Sequence, residues 1–328
     1  MNKKIAIILA FAVAVCSIFT SGCAGVKVRT FYALDTSIKI TAYNCTDEII
    51  DSMVERVNSF DAIFNIYNKD SEIYKLNQEG RLEEASETLV SVLSQSLNYA
   101  SMTEGAFDPT IGAVSMLWDF ENGTVPKDED IQSALKTVDY KNVAISGKRI
   151  ILKNGAKLDL GAVVKGYAVG NIASRLKLDG IKRATLDFGG TVYVFGEKSI
   201  KVGIQTPFGK AGEISAEIAA AGQTVVATSG NYQRYFDKDG KRYHHILDPK
   251  TGYPVNNGLQ SVSVIGSTAA MDDAFSTALF VLGREKATEL INRVKGMQAV
   301  FISDDDTMYH TSGLEYDGNY TFTIKQNG

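Results

Sequence analysis

Apolar and polar residues alternate from Phe31 to Tyr43, the period of a half-buried strand. From Thr46 to Asn68 the spacing changes: Ile50, Met53, Val54, Val57 and Phe64 share one face of a helix. A second helical pattern covers 86–102. A short third runs from Asp128 to Val138 and opens with acids, which suit a helix N-terminus. Beyond 140 the chain turns to short apolar runs. Val143–Ile145 and Arg149–Leu152 flank Ser146-Gly147-Lys148 and predict a hairpin. A helix is predicted over 165–178. Strands are predicted at 184–188, 191–195, 199–205, 223–228, 242–247 and 260–265. Two helices follow, at 270–282 and 285–294, then strands at 298–302 and 320–324. Strands and helices come in clusters instead of alternating. That predicts an α+β fold with mixed or antiparallel sheets flanked by helices, not a doubly wound α/β fold. No linker is visible; a division into two lobes would fall near residue 140.

Composition narrows the chemistry. The chain has 328 residues, 45% of them hydrophobic, which is ample for a folded core. A net charge of −4 leaves no basic footprint for nucleic acid. Three His and three Cys exclude a Cys/His zinc site at the usual spacings.

The N-terminus reads as a leader. Lys3 and Lys4 precede an apolar run, Ile5–Val15, and small residues then lead to Ser21-Gly22-Cys23. This resembles a bacterial lipobox, with Thr20 where an aliphatic residue is usual. Residues 1–22 are thus expected to be a lipoprotein signal peptide, with Cys23 acylated and the protein held on the extracytosolic side of a membrane. Cys45 would then be the one remaining thiol, so no intrachain disulfide is expected.

No P-loop, dinucleotide-binding glycine fingerprint or nucleophile elbow occurs. Four other constellations do. In Met271-Asp272-Asp273-Ala274-Phe275-Ser276-Thr277, Asp272 with Ser276 and Asp273 with Thr277 each pair a carboxylate and a hydroxyl one helical turn apart. Such hard oxygen donors suit Mg²⁺. In Tyr243-His244-His245-Ile246-Leu247-Asp248-Pro249, adjacent histidines of a strand face opposite ways, so one of the two can serve a site as general base. Asp159-Leu160-Gly161-Ala162-Val163-Val164-Lys165-Gly166 leads from a strand into a helix and offers free N–H groups and a lysine to an anion. Thr228-Ser229-Gly230-Asn231-Tyr232-Gln233-Arg234-Tyr235 is a polar, aromatic loop with one cation.

Taken in order, these segments resemble the bacterial flavin transferases, the ApbE family of lipoproteins. Further marks are Ala33-Leu34-Asp35-Thr36, Tyr67 with Ser71-Glu72-Ile73, Phe107-Asp108-Pro109-Thr110-Ile111-Gly112 leading to Leu117-Trp118, and Gly189-Gly190. The resemblance runs from about Phe31 to the C-terminal strand, so a single flavin transferase domain is expected over 23–328, with a T-fold-like architecture. It implies Mg²⁺-dependent transfer of the FMN half of FAD to a Thr or Ser hydroxyl of an acceptor protein, with AMP released. Family spacing selects Asp273 and Thr277 as metal ligands, joined by the carbonyl of Ala162, and selects His245 as the base. Leu34 and Tyr67 would flank the flavin with Trp118 near it, and Asp159, Lys165, Thr228 and Ser229 would meet the rest of FAD. The implied partners are extracytosolic flavoproteins of membrane redox complexes. Many members carry Met-Gly-Thr where this chain has Leu34-Asp35-Thr36, and Thr191 replaces a residue that is often acidic or amidic, so it is assigned no role. Two alternatives share these residues: hydrolysis of FAD to FMN and AMP, and a non-catalytic flavin-binding lipoprotein.

Overall fold

A computed structural model describes residues 25–210, 212–316 and 320–324. The leader and Cys23 lie outside the described residues. The chain opens with a hairpin, β1 (Gly25–Ala33) and β2 (Thr36–Cys45), where the alternation predicts one strand. The turn is Leu34-Asp35, with φ of 51° and 58°. Two positive φ values suit the twist of a hairpin but usually call for Asn or Gly. Leucine there breaks no alternation, so the pattern runs through the turn unmarked.

Helix α1 (Asp47–Phe64) starts where Thr46 accepts a hydrogen bond from Ile49 N–H, and it buries Ile50, Met53, Val57, Phe60 and Phe64. Helix α2 (Glu72–Glu79), capped by Ser71 and closed by Gly80 at φ 71°, and strand β3 (Arg81–Leu82) are not foreseen by the periodicity. Then come α3 (Glu87–Met102), the short α4 (Gly112–Ser115), α5 (Asp128–Leu135), β4 (Val143–Ser146) and β5 (Arg149–Leu152). Helix α6 (Gly161–Leu178) begins four residues before its expected start. Strand β6 (Ala184–Phe188) leads to β7 (Thr191–Gln205) and β8 (Ile214–Gly230), each longer than expected. After β9 (Tyr235–Lys238) and β10 (Lys241–His244) come β11 (Leu259–Gly266), α7 (Ala269–Leu282) and α8 (Arg284–Ile291). The chain ends with β12 (Gln298–Ser303), β13 (Met308–His310), α9 (Gly313–Tyr316) and β14 (Tyr320–Ile324).

The main sheet runs β1-β2-β6-β7-β8-β11-β12-β13, with β14 also paired to β8. Its ladders are all antiparallel. The expected α+β class with helices against an antiparallel sheet is therefore what the chain forms. A smaller sheet, β3-β5-β4, joins residues on both sides of 140.

Period-two alternation sends the two faces of the main sheet to different cores. Val225, Val264, Ala299 and Phe301 pack with α1, α3, α6 and α7. Their neighbours Val226, Ile265, Val300 and Ile302 pack instead against Val202, Ile204, Ala216 and Ile218, from the outer halves of β7 and β8. That requires the β7–β8 ribbon to fold back on itself. A straight strand rises about 3.3 Å per residue, which would carry Phe208 about 55 Å beyond Thr191. Instead the Phe208 ring lies 5.9 Å from that of Tyr232, just past the far end of β8. The bend falls where the ladder loses register between Gly196 and Ile200, with Gly196 at φ 143° and Gly222 at φ 82°.

Candidate active site

A cleft of about 1820 Å³ opens between the β1–β2 turn, the start of α6, the end of β8 and the segment after β10. All eleven expected site residues within the described chain border it: Leu34, Tyr67, Trp118, Asp159, Ala162, Lys165, Thr228, Ser229, His245, Asp273 and Thr277. They come from seven separate stretches of sequence, and the fold brings them together.

One end of the cleft is built where α6 crosses α7. The backbones approach so closely at Gly166 that a Cβ there would collide with the Ala269 carbonyl and with Asp273 Cβ. Gly166 N–H therefore reaches Asp273 Oδ2, at 2.8 Å. In an undisturbed helix that N–H would serve the carbonyl of Ala162. Asp273 Oδ1 accepts from Thr191 Oγ1 at 2.9 Å, and Lys165 Nζ stands 4.0 Å from Oδ2. Thr277 lies one turn further along α7 and shares a hydrogen bond of 3.0 Å with Ser229 Oγ, which also meets Ser276 Oγ at 2.8 Å. Asp159 is fixed by Ser115 Oγ at 2.7 Å and Gly161 N–H at 2.9 Å. Lys165 Nζ donates to the Gly161 carbonyl at 2.9 Å, and Thr228 pairs with Ser263 at 2.7 Å.

Asp272 has a different fate from its neighbour. It is 1% exposed and accepts from Thr268 N–H at the start of α7. Burial pushes its carboxyl well above the usual carboxylate range, the Thr268 bond opposing the rise and the charge of Asp273 adding to it. It caps the first turn of α7 from the interior and does not border the cleft. Of the two carboxylate–hydroxyl pairs in the sequence, only Asp273 with Thr277 borders the cleft.

The opposite end separates the two histidines. His244 is buried. Its Nε2–H donates to the Val255 carbonyl at 2.8 Å and its Nδ1 accepts from Ile246 N–H, so both nitrogens are spent. His245 borders the cleft, and its Nδ1 lies 3.3 Å from the Arg234 carbonyl. A carbonyl only accepts, so Nδ1 carries the hydrogen and Nε2 is left with a free lone pair. Desolvation, then the charges of Arg234, His244 and Lys165, lower its pKa to about 3, so the ring is neutral near pH 7.

Trp118 lines the cleft but is 5% exposed. It donates Nε1–H to the Gly252 carbonyl and stacks on Phe120 at 5.8 Å. Its edge forms wall; its faces are occupied. Tyr67, by contrast, is 73% exposed.

Two partners escape sequence reasoning. Thr191, assigned no role, holds Asp273 from 82 positions away, and nothing in the local pattern signals it. Arg234 Nη1 pairs with Asp35 Oδ2, and Asp35 Oδ1 accepts from Tyr32 OH at 2.8 Å. This ties the β1–β2 turn to the residue whose carbonyl orients His245. The one visible sign is that Asp35 stands where many members of the resembling family have glycine.

Among the described residues no three His, Cys, Asp or Glu side chains cluster as a metal site. Any cation at this cleft would rest on the carboxylate of Asp273, the hydroxyl of Thr277 and backbone oxygen. These are hard donors, and they match Mg²⁺ better than zinc.

The ApbE family profile matches residues 34–301. A FAD:protein FMN transferase of Treponema pallidum is 33% identical over 249 residues, covering 69% of this chain and 68% of that protein. One from Klebsiella pneumoniae is 31% identical over 277 residues, covering 82% and 87%. Among solved structures, the ApbE protein of Thermotoga maritima superposes with a TM-score of 0.81 at 32% identity, over 89% of this chain and 98% of that one. The apo flavinyl transferase ApbE of Pseudomonas stutzeri gives 0.76 at 25% identity, over 89% and 96%.

Proposed function

The chain belongs to the ApbE family, and from that premise we infer that its cleft is the site of an FAD:protein FMN transferase. The enzyme moves FMN from FAD to an acceptor protein. The observation that carries the assignment of roles is the division of the cleft into a carboxylate end at Asp273 and a free imidazole nitrogen at His245.

The acceptor hydroxyl, of Thr or Ser, attacks the phosphorus on the FMN side of the FAD pyrophosphate. A new O–P bond forms, the bridging P–O bond breaks, and AMP leaves with the electron pair. The hydroxyl proton passes to His245 Nε2. Nδ1–H on the Arg234 carbonyl holds the ring in the tautomer that can accept it. Lys165 places a cation beside the pyrophosphate, and Leu34 and Tyr67 offer apolar surface for the isoalloxazine.

Asp273, Thr277 and the Ala162 carbonyl fit Mg²⁺. All three residues border the cleft, and Gly166 N–H, one turn on from Ala162, holds Asp273 Oδ2 in place beside them. When bound, Mg²⁺ supplies positive charge to the pyrophosphate oxygens as the bridge breaks.

A lipid anchor on Cys23 would hold the enzyme on the extracytosolic side of a membrane. Its acceptors would be the flavoproteins of redox complexes there, at a raised effective concentration. No helix of the described residues is long and apolar enough to cross a membrane. Cys23→Ser should release the protein or leave its leader uncleaved, and lower flavinylation of membrane acceptors in cells. An intact Met1 with no acyl mass on Cys23 would contradict the anchor.

The activity is tested by incubating the chain with FAD, Mg²⁺ and an acceptor domain. The expected result is a mass gain on the acceptor equal to FMN, with AMP released. Free FMN and AMP without a modified acceptor would assign hydrolysis instead.

A further inference from the structure

The outer half of β7 has one partner. From Thr191 to Phe195 the strand lies between β6 and β8. From Ile200 to Gln205 it pairs with β8 alone, so among the described residues its other edge is open. Open edges are normally covered, bulged or defended by charge. This one is not. The run Ile200-Lys201-Val202-Gly203-Ile204-Gln205 holds no proline, and Lys201 is drawn to Glu217 on the paired side, at 2.8 Å. Gly203 is exposed and puts no side chain in the way of an approaching backbone. Because the ribbon folds back, Val202, Gly203 and Gln205 border the same cleft as His245.

An aromatic shelf continues the edge. Phe208, at the tip of the ribbon, is 44% exposed, and Tyr235 is 38% exposed. Their rings lie 5.7 Å apart, edge to face, with the Arg242 guanidinium 4.3 Å from each. Asp237 pairs with Arg242 and Asp35 with Arg234, so the guanidiniums of the rim are already neutralised. The surface on offer is backbone edge and ring face, not charge.

We propose that the acceptor polypeptide docks as an added strand along Ile200–Gln205, with an apolar side chain on the Phe208–Tyr235 shelf. This rests on the transferase reading, since it is that reaction which makes the second substrate a polypeptide. Strand addition takes affinity from main-chain hydrogen bonds and selectivity from pockets for alternate side chains. Six residues span about 20 Å, a typical strand. Such a strand brings the hydroxyl that follows it to the His245 side of the cleft. Because paired charges do not drive it, binding should depend little on ionic strength.

The probe is an acceptor domain to which the wild-type enzyme adds the mass of FMN. Hydrogen exchange of the wild-type enzyme should slow at amides within 200–205 when that domain is added. Phe208→Ser should raise the acceptor KM about tenfold, the scale for losing an aromatic anchor. The KM for FAD should stay unchanged, and Phe208→Tyr should restore the acceptor KM. No protection over 200–205, or an unchanged acceptor KM in Phe208→Ser, overturns the proposal. Protection that grows with enzyme concentration in the absence of acceptor assigns the edge to a second copy and also overturns it. Failure of the wild-type enzyme to modify any acceptor while it still cleaves FAD would count against the transferase reading itself.

Discussion

The two ends of the cleft are built in opposite ways. At the Asp273 end, three packed elements meet: α6, α7 and the first residue of β7. The carboxylate is nearly buried, and each of its oxygens has a donor within 2.9 Å. At the His245 end the support is a loop carbonyl, and the ion pair behind it, Arg234–Asp35, is about half exposed. The difference follows the two substrates. A pyrophosphate is small and highly charged, so it rewards oxygen and nitrogen donors held in fixed positions with little reorganisation. A protein acceptor must arrive, react and leave, which suits the proposed base, carried on a loop beside the strand edge proposed to receive that acceptor.

The largest contrast is expected within α7. Asp273→Ala should slow transfer by at least about 10³-fold, the scale for removing a preorganised electrostatic group. Asp272→Asn, a nearly isosteric change at a buried side chain that does not border the cleft, should stay within a fewfold. The rate of FMN mass gain on the acceptor measures both. Similar losses in the two variants would mean that α7 acts through folding alone.

At the other end, His245→Ala should slow transfer by about 10²–10⁴-fold. His244→Ala should instead lower thermal stability, by about 1–3 kcal/mol, because it strands the partly buried Val255 carbonyl and the buried Ile246 N–H. Equal rate losses with equal melting temperatures would contradict the division of labour between the two rings.

Thr191→Val tests the support behind Asp273. The side chain is fully buried and the replacement is nearly isosteric, so the change removes one donor. A loss of about 10–100-fold in metal affinity or rate is expected, the range for groups that orient a metal ligand. Mg²⁺ titrations of the rate would show it as a rise in the concentration needed for half activity.

The smallest effect is a pH dependence that should be missing. An unperturbed histidine loses its basic form as pH falls through about 6.5. The folded-state pKa of His245 is depressed to about 3, so the rate should not fall through pH 6.5 on account of this ring. The sign for stability is the reverse of a histidine that gains a partner acid. Between about 6.5 and 3 the unfolded chain binds the proton and the folded chain does not, so stability drops as pH falls through that window. An acid limb near 6.5 that vanishes in His245→Ala would contradict the neutral ring.

Much of this was legible in the sequence, for identifiable reasons. The helices α1 and α3 carry clear periodicity, α7 is an apolar run buried nearly all round, and the four chemical segments are contiguous stretches that keep their spacing. Local patterning could not reveal the fold-back of β7 and β8. The first half of β8 is rich in alanine, which has little strand propensity, and it is set by packing on the far face of the sheet. The β1–β2 turn is hidden because Leu34 takes a positive φ that sequence patterns reserve for Asn or Gly. Thr191 and Arg234 were missed because their roles depend on residues 82 and 199 positions away. The choice between Asp272 and Asp273, left open by spacing, is made by the crossing of α6 and α7 at Gly166.

Asp273 is the proposed anchor of the pyrophosphate end. Its most direct test is FMN mass gain on the acceptor, measured in EDTA and then across a Mg²⁺ titration, for wild type and Asp273→Ala side by side. The wild-type signal should vanish in EDTA and return with Mg²⁺, while the variant stays silent at every concentration. A wild-type signal untouched by EDTA, or a variant restored to the wild-type rate, would contradict it.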